Sequence, residues 1–208
     1  MTYIALQNRI SRQVFFEDTI TNPIRREAIR GAIQDAIQYY EPELFAFNEQ
    51  QSTNTTVADF EYYPLPDDFI QMVTIAVQTG SSVWATMEPR SFDELEQANL
   101  RSSRGCPRMY CTFNMQLRVS PVPNSAYDMR LSYIRKLPPL VNDDDENEWT
   151  LYAEPLIRAK AKSLLLLDAT HDVEGAAVHD REAEMWFKRL QLRAIQHVVV
   201  NQIRPQVF

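Results

Sequence analysis

After Pro42 the spacing of apolar residues drops from three or four to two, and from Pro155 onward it is three or four again. A period near 3.6 marks a helix with one buried face, and a period of two marks a half-buried strand. The chain therefore reads as helices, then strands, then helices. The N-terminal helix pair is too short to make its own core, so it is expected to pack on the C-terminal helices as a small bundle.

The helical ends have clear punctuation. Residues 3 to 14 carry Ile4, Leu6, Ile10 and Val14 as a loose stripe. Ile24, Ala28, Ile29, Ala32, Ile33, Ala36, Ile37 and Tyr40 then recur at three- and four-residue steps, with Arg25, Arg26 and Arg30 on the opposite, solvated face. Asn22 before Pro23 is an N-cap with proline at the first helical position, which predicts a helix over 22–41. Downstream, Leu156 to Ala169 is apolar on most sides and predicts a central buried helix. Asp172 caps the next one, which runs to about Val198 with Ala176, Ala183, Trp186, Phe187 and Leu190 on one face.

Between these ends the strand signals dominate. Phe45, Phe47 and Glu49 lead into a polar stretch, Gln50 to Thr56, and Val57 to Tyr63 returns, which predicts a hairpin with a wet tip. Phe69, Val73, Ile75 and Val77 alternate, with Gln71 an exception on the same side. Ser91 and Glu94 form a capping box for a short helix. Three more strands follow at Met109–Phe113, Met115–Val119 and Tyr127–Tyr133, and Asn142 to Glu148 is a flexible acidic connector. The predicted class is α+β, with about seven strands. An antiparallel helical bundle (1–43 plus 145–200) holds an inserted antiparallel β module (44–144), and residues 201–208 form a C-terminal tail.

Composition removes several function classes. The chain has four glycines in 208 residues, at positions 31, 80, 105 and 175, too far apart for a glycine-rich phosphate loop. Lys and Arg number 21 against 28 Asp and Glu, a net charge of −7, whereas a duplex-DNA reader concentrates basic residues on one face. Cys106 and Cys111, five apart in an extended segment, point to opposite faces and read as small core residues. The start, MTYIALQNRISRQ, lacks the pattern of a signal peptide, and the longest strongly apolar run, Leu164 to Leu167, is far short of a membrane span. A chain made in the cytoplasm is expected.

Few residue groups invite chemistry. His171-Asp172 and His179-Asp180 suggest a metal-dependent hydrolase. However, eight helical residues turn the second pair about 80° from the first, and no third ligand lies at a useful spacing. Helix capping and surface solvation account for both pairs. His197, near a helix C-terminus, is placed there favourably for structural reasons. Asp143 to Glu148 lacks the glycine and spacing of a calcium loop. Trp84, Tyr62, Tyr63, Tyr110 and Phe113 could stack bases, but few basic residues interleave with them, and packing explains them better. No catalytic residue, cofactor or metal is assigned, and the chain reads as non-enzymatic.

The order of the punctuating motifs resembles the head-to-tail adaptor family of tailed bacteriophages, related to podophage tail tubular A proteins. The matching pieces are the helix Ile24 to Tyr40, Phe45-Ala-Phe47-Asn48-Glu49, Tyr63-Pro-Leu-Pro-Asp-Asp-Phe69 and Gly105-Cys-Pro-Arg-Met-Tyr110. They continue with Leu117-Arg-Val-Ser-Pro-Val-Pro123, Tyr127, Leu131-Ser-Tyr133, Trp149, Pro155 and the closing helices. The resemblance implies a structural protein of the virion neck, assembled in the host cytoplasm. It implies a ring, typically of twelve copies, between the portal protein and a downstream tail or nozzle protein, through which DNA passes without specific binding. It also implies a portal-docking tail, here Arg204, Pro205, Gln206, Val207 and Phe208, with the polar tip Gln50 to Thr56 facing neighbours or the next tail component. Two other readings remain at this point: a tail-side tubular or nozzle-contacting structural protein, and the hydrolase using His171, Asp172, His179 and Asp180.

Overall fold

The computed structural model describes residues 1–80, 83–100 and 104–202. Two compact units divide the chain, one made of residues 1–48 and 137 onward, the other of Glu49–Lys136. With helices in one and two sheets in the other, the fold is α+β.

The first unit contains α1 (Tyr3–Val14), α2 (Pro23–Tyr40), α4 (Glu148–Tyr152), α5 (Glu154–Leu165) and α6 (Val173–Gln202). Asn22 starts α2 as its sequence predicts: the side-chain oxygen accepts from the amides of Ile24 (2.9 Å) and Arg25 (3.4 Å). Asn147 and Thr150 cap α4 reciprocally, at 3.2 and 3.1 Å. Helix α5 is the centre of the unit, with Leu156, Ile157, Ala159 and Ala161 fully buried and small residues letting its neighbours approach. Leu6, Ile10, Ile29, Ile33 and Ala183 close around it. At one end Phe45, Phe47 and Trp149 pack ring on ring: Phe45 lies edge-on to Trp149 at 5.5 Å and stacks on Phe47 at 5.1 Å. These phenylalanines therefore belong to the helical core rather than to a hairpin.

The acidic segment before α4 is not a flexible connector. Its backbone carbonyls accept from α1: Tyr3 N–H donates to Asp145 O and Ile4 N–H to Asp143 O, both at 2.9 Å, donors that the first turn of α1 leaves open. The Asp145 carboxylate accepts from the amides of Val141 and Asn142, and Asp143 is paired with Arg26 and Arg30. Arg25 is paired with Glu17. The three arginines expected on a solvated face are thus held by carboxylates: Arg25 by one in the segment just before α2, and Arg26 and Arg30 by one more than a hundred positions away that folding brings beside them.

The second unit contains β1 (Glu49–Thr55), β2 (Tyr62–Pro64), β3 (Phe69–Gln78), β4 (Trp84–Thr86), β5 (Glu88–Pro89), α3 (Phe92–Leu100), β6 (Met109–Phe113), β7 (Gln116–Ser120) and β8 (Asp128–Arg135). They form two four-stranded sheets, ordered β1-β8-β3-β4 and β2-β7-β6-β5, antiparallel except for β5 beside β6. Ile75, Val77, Met129 and Leu131 from one sheet share a core with Tyr63, Tyr110, Leu117 and Val119 from the other. The register of β3 against β8 shifts between Phe69 and Gln71 and again between Met72 and Thr74, which is why Gln71 breaks the alternation. Helix α3 buries Leu95, and its Ser91–Glu94 capping box forms as expected, with Glu94 N–H donating to Ser91 Oγ at 3.3 Å.

The expected 45–63 hairpin is wrong. Glu49–Thr55 is a strand, not a turn, and it pairs with β8 from Glu49↔Ile134 to Thr55↔Asp128. Tyr62–Pro64 pairs with β7 in the other sheet. Polarity misled the reading, since an edge strand open to solvent has no face that must be apolar. The link between the two strands is pinned by the Tyr63 hydroxyl, which donates to Phe60 O at 2.7 Å and accepts from Val57 N–H at 3.1 Å. Strands β6 and β7 are joined by Asn114 and Met115, at φ 49° and 57°, a two-residue turn with both residues left-handed. Cys111 is buried and Cys106 half-buried, and both are free.

Candidate functional site

The residues that suggested chemistry are each engaged elsewhere. His171 is left-handed (φ 53°) at the end of the π-helical turn Leu166–Thr170, with Nδ1 3.1 Å from Leu167 O. Asp172 caps α6 by accepting from Gly175 N–H at 2.9 Å. Asp180 accepts from Lys160 Nζ at 2.7 Å, and His179 Nδ1 faces Glu182 at 3.2 Å. Among the described residues no three His, Cys, Asp or Glu converge to hold a metal ion. The His171/Asp172/His179/Asp180 set is not one site.

A charged link that the sequence reading missed lies beneath His179. Lys162, 4% exposed, reaches Glu182 at 3.3 Å and ties α5 to α6. Burial lowers the Lys162 pKa, while Glu182 works the other way. Burial acts against the Glu182 carboxylate, yet His179 and Lys162 hold it below the ordinary glutamate value. The available signal was Lys162, set between Ala161 and the run Leu164 to Leu167 in a helix read as buried.

The five aromatic candidates form no platform. Tyr63 and Tyr110 are buried in the β core. Tyr62 covers Arg118 (5.2 Å), and Trp84 covers Arg130 (4.2 Å). Phe113 packs on Phe92 at 5.2 Å and stays 58% exposed. The portal-docking candidates Arg204, Pro205, Gln206, Val207 and Phe208 lie outside the described residues, as does the side chain of His197.

In the helical unit two adjoining hollows of about 460 and 380 Å³ share Leu151, Tyr152, Leu190 and Arg193. The first is walled by Phe45 and Phe47, the second by Met1, Trp186 and Arg189. Leu151 and Tyr152 are more than half exposed in the short helix α4. From Met185 onward the sequence has no Asp or Glu, and Lys188, Arg189 and Arg193 make this end of α6 basic on an acidic protein. Among the described residues no helix is long and apolar enough to cross a membrane.

No curated protein matches the chain. A family model described as SU10 adaptor protein matches residues 1–206. With that match running over nearly the whole sequence, helical ends and β unit alike, the chain belongs to the SU10 adaptor protein family.

Proposed function

We propose that the protein is a structural adaptor at the head–tail junction of a tailed phage. Copies form a ring, typically of twelve, beneath the portal, and a tail or nozzle protein docks below. The observation that carries this reading is the family match over residues 1–206, joined to the structural engagement of every described residue that suggested chemistry. The kinship with podophage tail tubular A proteins, drawn from motif order, belongs to the same reading. Residues 201–208 reach the portal, with Val207 and Phe208 as apolar anchors. A net charge of −7 suits a conduit, because a channel that gripped phosphates would stall the genome.

Imaging a mixture of the purified protein and a portal ring tests this. An axial ring of density on the portal is expected, and its absence across buffers and salt concentrations overturns the reading. Truncation after Val200 abolishes portal docking if the tail is the grip. Undiminished docking of that truncation overturns the tail as the grip and assigns the portal contact to another surface.

A further inference from the structure

We propose that neighbouring copies join head to tail, the β6–β7 hairpin tip of one copy entering the groove beside α4 and α6 of the next. The inference rests on the ring reading above and names the surfaces that would make the ring.

The inserted element is in the β unit. Phe113 and Met115 are 58% and 52% exposed at the tip of a two-residue turn, an apolar knob where hairpin tips are usually polar. The knob is rigid. Both turn residues are left-handed, Leu65 N–H donates to Met115 O at 3.2 Å, and Phe92 braces Phe113 at 5.2 Å. A rigid apolar anchor loses little entropy on docking. Beside it the α3 segment presents Asp93 and Glu94 at the surface, while Glu96 is paired with Arg118.

The receiving element is in the helical unit. The groove has aromatic and aliphatic walls, Phe47, Leu151, Tyr152 and Leu190, and its volume of about 460 Å³ is in the range of pockets that bury a compact apolar group. Arg193 lines it and Arg189 lines the adjoining hollow, both exposed on the acid-free end of α6. An apolar knob with acidic flanks therefore has its complement, an apolar groove with basic flanks, on the same chain. Two different patches that fit each other make a heterologous contact, which generates a closed ring when the rotation between copies closes. Charge matching sets the orientation and disfavours knob-to-knob or groove-to-groove pairing.

Site-specific cross-linking of the full chain tests this. Met115→Cys and Leu151→Cys are made singly and together and treated with a short bis-maleimide at high protein concentration and on portal rings. The wild-type chain controls for Cys106 and Cys111. Expected are a ladder of covalent oligomers from the double variant and a dimer from the mixed single variants, at least tenfold above either single variant alone. Arg193→Glu in the double variant should cut the ladder several-fold at low salt, and adding Asp93→Lys should restore part of it. A cross-link confined within one chain, or equal dimers from each single variant alone, overturns the inference. Portal-bound rings that give no cross-link overturn it while leaving the adaptor reading intact. A ladder without any portal-bound ring upholds the contact and removes the portal reading. Neither ring nor ladder removes both.

Discussion

Arg118 is 3% exposed, and its guanidinium sits between the rings of Phe92 (4.7 Å) and Tyr62 (5.2 Å). Two carboxylates meet it, Glu61 at 3.2 Å and Glu96 at 2.5 Å, so one side chain joins β2, β7 and α3. A planar cation suits this place because it stacks on aromatic faces while donating sideways, which an ammonium does not do. Both carboxylates keep some solvent, which tempers the penalty of stranding them. Arg118→Ala should nonetheless cost about 3 kcal/mol, since a buried charge network is broken and a cavity is left. Arg118→Lys should recover less than half of that. Urea unfolding of the two variants measures both. An effect below about 1 kcal/mol for the alanine would mean that the pairs are no better than surface ones.

At the scale of elements, the acidic segment 142–148 serves as the strap that receives the first turn of α1. Hydrogen bonding from Arg26, and then from Arg30, lowers the Asp143 pKa despite some desolvation, and the amides of Asn142 and Val141 lower that of Asp145. Both carboxyls therefore titrate below the ordinary aspartate value of 3.8. Their contribution is complete above that value and fades as the pH falls through their lower folded values. Asp143→Asn should be less stable than the parent at neutral pH, the difference closing in acid. Paired urea titrations across that range check it, and amide exchange at Tyr3 and Ile4 should quicken first. A deficit that persists unchanged in acid would mean that the ion pairs are not its source. Helix α2 was legible because Asn22-Pro23 and the 3.6-residue stripe are local signals, and so was the α3 capping box. The strap was not, because its partners Arg26 and Arg30 lie more than a hundred residues away in sequence. Strand β1 was missed for a different reason: its stability is backbone pairing with β8, which leaves no mark in hydrophobic pattern. The groove beside α4 was equally silent, since the spacing of Phe45 and Phe47 is that of a strand and the Trp149 ring that packs on both is more than a hundred residues away in sequence.

At the scale of the molecule, the chain has two separate hydrophobic cores, one in each unit, and the β unit is inserted between the halves of the helical one. Cores that share few residues need not melt together. Calorimetry should show a van't Hoff enthalpy below the calorimetric one, and Arg118→Ala should lower only the transition that belongs to the β unit. A single two-state transition that shifts as a whole would show the units to be energetically fused. The sheets have a further consequence for a protein that self-associates. Among the described residues four strands lie at sheet edges: β2, β4 and β5 are only two or three residues long, and the long one, β1, is Glu-Gln-Gln-Ser-Thr-Asn-Thr, without one apolar side chain. The three short edges give another molecule little backbone to pair with, and β1 offers it no apolar side chain to bury. Crowded copies are thereby steered away from fibres, and attachment is left to side-chain surfaces that fit in one orientation.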